Sequence, residues 1–118
     1  MFKLIVAGGR DFNDYDLLES KLDKLLTNKT DVEIVCGKAR GADSLGELYA
    51  RNKGYGVAEF PADWNKYGKS AGYIRNKEMA EYADACVCFW DGISKGTGHM
   101  IDLAKEKNID LRVISYIF

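Results

Sequence analysis

Three times in this chain an apolar run stops at a glycine-bearing loop, and a helical pattern follows within a few residues. Residues 2–7 lead into Gly8-Gly9-Arg10-Asp11-Phe12-Asn13. Residues 32–36 lead into Gly37-Lys38-Ala39-Arg40-Gly41-Ala42-Asp43. Residues 85–90 lead into Asp91-Gly92-Ile93-Ser94-Lys95-Gly96-Thr97. The first run is broken only by Lys3, so it reads as a strand buried on both faces. Such strands need helices on either side of their sheet, which confines the chain to a small set of α/β folds.

The remaining pattern fits that frame. Asp14 can cap a helix in which Leu17, Leu18, Leu22, Leu25 and Leu26 recur at helical spacing. A second helix is expected over 44–52, with Leu45, Leu48 and Tyr49 on one face and Gly54 placed to end it. Strands follow at 57–60 and 111–117, and helices at 71–83 and 97–108. Ile74, Met79, Tyr82 and Ala83 form the core side of the helix over 71–83. Residues 61–70 are a polar, aromatic stretch without period and read as a loop. Strand and helix alternate five times, and right-handed crossovers leave few topologies. The expected fold is α/β: one Rossmann-like, doubly wound domain over residues 1–118, a five-stranded parallel sheet of order 3-2-1-4-5 with helices on both faces. Its ligand crevice would open where the winding reverses, at the carboxyl ends of the first and fourth strands.

With 118 residues the chain has room for one domain that buries a core unaided. Net charge is -1, so no global basic field gathers nucleic acid. No apolar run reaches membrane-spanning length, and the first strand begins where a signal peptide would lie. Cys36, Cys86 and Cys88 sit at strand positions, the last two on one side of the sheet, and read as small core residues in a reducing, cytoplasmic compartment. Without CxxC spacing, and with His99 as the lone histidine, no metal is expected. No cofactor is expected either.

Each loop has a bland and a chemical reading. Gly8, Gly9, Arg10 and Asp11 could be a tight turn with a solvated arginine. They could also bring backbone N–H groups and a guanidinium fork to a phosphate. Neither a G-x-G-x-x-G fingerprint nor a Walker A loop is present, which disfavours dinucleotide dehydrogenases and P-loop NTPases. In the second loop a helix N-cap explains Asp43 but leaves the Arg40-Gly41 pair unexplained, so Gly37, Arg40, Gly41, Ala42 and Asp43 are candidate ligand contacts. The third loop offers Asp91, Gly92, Ser94, Gly96 and Thr97 at the switch point: two hydroxyls, a helix start, and an acceptor for a ribose hydroxyl or base amine. Arg75 and Asn76 fall near the same rim. Trp64 could stack on a base or cover the core edge, Lys69 could contact phosphate or solvent, and His99 reads as structural.

Taken together, the segments AGGRDF, CGKARGAD, PADWNKYGKSAGYIRN and FWDGISKGTGHMI resemble the YspA-like branch of the SLOG superfamily, in order and over nearly the whole chain. The resemblance implies a Rossmann-like fold and a nucleotide-derived ligand of the ADP-ribose-like or cyclic-nucleotide class. It also implies a sensing or sequestering role, a phage or defence setting, and a homodimer, to which Ile117 and Phe118 could contribute. Relatives include the LOG phosphoribohydrolases and DprA. Arg75, Met79, Gly96 and Thr97 resemble the LOG motifs, but Gly98, His99 and Met100 stand where a glutamate would follow. An N-glycosidase is therefore the alternative, with Arg75 and Asp91 as its candidate catalytic pair. A nucleic-acid partner ranks last, because a strand-binding groove wants basic charge and stacking aromatics.

Overall fold

The structure, a computed structural model, describes residues 1–116. Its elements are β1 (Phe2–Gly8), α1 (Tyr15–Leu25), β2 (Val32–Cys36), α2 (Ala42–Lys53), β3 (Gly56–Glu59), α3 (Trp64–Tyr67), α4 (Ala71–Tyr82), β4 (Ala85–Trp90), α5 (Lys95–Glu106) and β5 (Asp110–Ser115). A single 3-10 turn, Gly68–Ser70, joins α3 to α4. The sheet is wholly parallel, in the order β3-β2-β1-β4-β5.

Alternation along the central strands sends side chains to two separate cores. Leu4 and Val6 of β1, with Ala85, Val87 and Phe89 of β4, pack under α1 and α2 against Leu18, Leu22 and Tyr49. Ile5 and Ala7, with Cys86 and Cys88, pack under α4 and α5 against Met79, Met100 and Ala104. One helix pair thus covers each face, and the chain changes face between β3 and β4. The β1–β4 register pairs Gly8 with Phe89, so the first and third glycine loops leave the sheet side by side.

Several boundaries differ from the sequence reading. α2 starts two residues early, at Ala42, because Gly41 is its N-cap position. Asp43 is therefore in the first turn and is not the cap. Leu48 is exposed, so it does not share the buried face of Tyr49. Residues 61–70 are not a plain loop: Asp63 accepts a hydrogen bond from the Lys66 N–H at 3.1 Å and caps the one-turn α3. α5 begins at Lys95, which puts Thr97 inside the helix and buried. The strands expected at 57–60 and 111–117 run instead as Gly56–Glu59 and Asp110–Ser115. Ile117 and Phe118 lie outside the described residues.

Candidate functional site

A cleft of about 620 Å³ opens at the carboxyl ends of β1 and β4, within the range typical of small-molecule sites. Twelve of the sequence-predicted residues line it: Gly8, Gly9, Arg10 and Asp11 from the first loop, Arg40 and Asp43 from the second, Arg75 and Asn76 from α4, and Asp91, Ser94, Gly96 and Thr97 from the third. Gly37 and Trp64 border a smaller hollow beside it, and Trp64 and Lys69 border another. Gly41, Ala42 and Gly92 border none of these. Gly41 and Ala42 buttress the first loop instead: the Ala42 N–H donates to the Gly9 carbonyl at 3.3 Å. Met79, named above for the helix core and for its resemblance to the LOG motif, also lines the cleft, as do Ala7, Ala39 and Met100, which the sequence reading missed as site residues. The spacing of Ala7, Ala39 and Met100 gives no signal apart from strand, loop or core packing.

Arg75 is the centre of the wall. Its Nη1 donates to the Gly37 carbonyl, and its Nε donates to Asn76 Oδ1 at 3.0 Å. Asp43 Oδ2 accepts from the Gly37 N–H at 3.1 Å and the Ala39 N–H at 3.3 Å, which folds the second loop around a buried carboxylate. Burial pushes the Asp43 carboxyl above the ordinary carboxylate range, opposed by the Ala39 N–H, the Arg75 guanidinium and the Gly37 N–H. Burial pulls Arg75 below the ordinary arginine value. Asp43 works against that, and the charge of Arg10 adds to it. Two guanidinium groups therefore share one wall at mutual electrostatic cost, an arrangement that an anion between them would relieve.

The third loop supplies amides. Asp91 Oδ1 accepts from the Ile93 and Ser94 N–H groups, both at 2.8 Å, and these bonds hold its carboxyl below the usual range. The first bond inside α5 runs from the Gly98 N–H to the Ser94 carbonyl, so the N–H groups of Lys95, Gly96 and Thr97 have no partner within the helix. No side chain caps α5 or α2, whereas Asp14 and Asp63 cap α1 and α3. Buried Asn76 ties this loop to Arg75: its Nδ2 donates to the Gly96 carbonyl and to His99 Nδ1, each at 3.3 Å. His99, also in edge contact with the Tyr73 ring, is pulled below the usual histidine range by burial and acts as an acceptor. Sequence reading left His99 without a partner, because the Asn76–His99 contact spans 23 residues.

A family model described as the YspA, cpYpsA-related SLOG family matches residues 2–67, more than half of the sequence. The chain belongs to this family. The match carries the first two glycine loops and Trp64; Arg75 and the third loop of this SLOG chain lie beyond it. Gene 61 protein of Mycobacterium phage D29 is 34% identical over 116 residues, covering 92% of this chain and 93% of that protein. The DNA processing protein A (DprA) structure from Streptococcus pneumoniae superposes on 100% of the chain with a TM-score of 0.79 at 19% identity. The chain spans 52% of that protein, and the likeness is one of fold. Among the described residues of this SLOG chain, no helix is long and apolar enough to cross a membrane.

Proposed function

We propose that the chain binds a nucleotide-derived, phosphate-bearing small molecule in the β1–β4 cleft and holds it intact, as a sensor or a sequestering protein. The observation that carries this reading is the convergence on one cleft of Arg10, Arg75 and the α5 first-turn residues Gly96 and Thr97, whose N–H groups have no partner within the helix. Guanidinium forks and helix-start amides are both donor-only, which suits phosphate oxygens. The carboxylates of Asp11 and Asp91 on the same cleft suit hydroxyl or amine groups of a nucleoside. Membership of the family and likeness to a phage protein agree with a nucleotide-related, phage-associated role.

Binding is preferred to cleavage because Gly98, His99 and Met100 stand where the LOG glutamate would follow Gly96 and Thr97. A glycosidase needs an acid that gives a proton to the departing base. Asp91, its carboxyl held below the usual range by the Ser94 and Ile93 N–H groups, suits accepting from a hydroxyl or amine rather than the role of that acid.

The test is melting of the purified protein against AMP, ADP, ADP-ribose and cyclic nucleotides, with mass spectrometry of each stabilising compound. At a hundredfold excess over Kd, mass action adds about 2.7 kcal/mol, which for a domain this size raises Tm by roughly 10 °C. The stabilising ligand is expected back intact. Recovery as free base and sugar phosphate would make the protein a hydrolase, and no stabilisation by any compound would remove the reading. Gly96→Asp is the companion variant. A side-chain carbon at Gly96 meets nothing within 4 Å, and a carboxylate suits a helix start. Tm without ligand is therefore expected to hold or rise slightly, while the ligand-induced shift disappears by repulsion.

A further inference from the structure

Charge is distributed unevenly between the main cleft and the two hollows beside it. Three carboxylates, of Asp11, Asp43 and Asp91, line the main cleft. No carboxylate lines either hollow, of about 260 and 190 Å³, among the described residues. Arg10 and Arg75 border all three spaces. Trp64 borders both hollows and not the main cleft, with Arg40 on one side of it and Lys69 and Tyr73 on the other. Lys38, which also borders the larger hollow, is engaged by Glu47 at 2.8 Å. Arg10, Arg40 and Lys69 form no ion pair among the described residues.

Trp64 is 53% exposed, yet it is anchored. Its turn is capped by Asp63, and its Cη2 stands 3.5 Å from where a Cβ on Gly72 would lie. An exposed indole held beside unpaired cations offers a stacking surface for a flat ring next to an anion. A mononucleotide in the main cleft would leave that surface empty.

We infer that the hollows flanking Trp64 are a second subsite, so that the preferred ligand carries two bases: a nucleoside in the main cleft, a phosphate bridge across Arg10 and Arg75, and a second base against Trp64. This rests on the main cleft being a nucleotide site. Bare polyphosphate would satisfy the cations but make no use of Trp64 and Tyr73.

Calorimetry at fixed salt with AMP, with two adenosines joined by a diphosphate, and with a single-stranded oligoadenylate tests it on the full chain. The dinucleotide is expected to bind at least about tenfold tighter than AMP, within the range one stacked base supplies. Trp64→Ala is expected to bring the two affinities within about threefold of each other, and Trp64→Phe to restore most of the gap. If Trp64→Ala melts early, Lys69→Glu gives the same comparison and is expected to narrow the gap. Equal affinity of AMP and dinucleotide for the unsubstituted protein would overturn the second subsite and leave the nucleotide site standing. Failure of every compound to bind would overturn both. An oligoadenylate that binds tightest, with steep salt dependence, would make the hollows a path for a strand and overturn the dinucleotide assignment.

Discussion

Replacing Arg75 by alanine is expected to weaken nucleotide binding by roughly 30- to 1000-fold, about 2–4 kcal/mol, while the domain stays folded. The guanidinium lies on the wall of all three hollows, so no neighbouring side chain occupies its place. Its loss also strips Asp43 of its charge partner and frees the Gly37 carbonyl. Asp43 keeps its bonds from the Gly37 and Ala39 N–H groups, so the cost in stability is smaller than the cost in affinity. The pH dependence separates the two effects. Asp43 has a raised carboxyl in the folded state, so the folded state holds its proton more tightly than the unfolded chain does. That contribution is fully present below the unfolded carboxylate range and is lost as pH rises through the folded value. Without Arg75 the carboxyl rises further. The stability gap between Arg75→Ala and the unsubstituted protein is therefore expected to narrow as pH falls from neutrality through the carboxylate range. Denaturant unfolding at several pH values measures it. A gap that widens towards acid would contradict the Asp43–Arg75 coupling.

Gly41→Ala is expected to cost about 3–4 kcal/mol of stability, a large part of what a domain like this possesses. Gly41 has φ of +76° and ψ of -124°, a region closed to side chains. An added Cβ would stand 2.2 Å from the Gly9 carbonyl oxygen and 2.7 Å from Arg10 backbone atoms, which cannot rotate away. Gly54 supplies the control. It has the same φ of +76°, but a Cβ there meets nothing within 4 Å. Gly54→Ala should cost only about 1 kcal/mol, the ordinary penalty for a left-handed helix end. The difference between the two variants combines the closed backbone region of Gly41 with its contact between the first and second glycine loops. Equal costs would mean that the loops do not brace each other. Because that contact holds the Gly9 and Arg10 backbone, Gly41→Ala is also expected to lower ligand affinity in whatever fraction remains folded.

The sheet order was legible because the signals that encode it are local. Buried parallel strands are continuous apolar runs, and α1 carries leucines at three- and four-residue intervals. Handedness does the rest. The loops were legible for the same reason, since glycine at a strand end is a local feature. What escaped was set by distance in space. Asp43 reads as a cap in sequence because an aspartate near a helix start usually is one. Its carboxylate instead accepts from the Gly37 and Ala39 N–H groups, and Arg75, 32 positions later, holds the Gly37 carbonyl of the same loop. Asn76 and His99 pair across two helices. Met79 and Met100 have core spacing and are core residues, yet they also line the cleft. Helix α3 is too short for any periodicity, and only the Asp63 cap betrays it.

Backbone amide chemical shifts in ¹⁵N-labelled protein, followed as AMP is added, test the central claim most directly. The account predicts that the largest shifts fall on Arg10, Asp11, Lys95, Gly96 and Thr97 and on the Arg75 side chain, with little change at the amino-terminal edge of the sheet. Saturable shifts centred away from the β1–β4 cleft, with those groups unmoved, would contradict it.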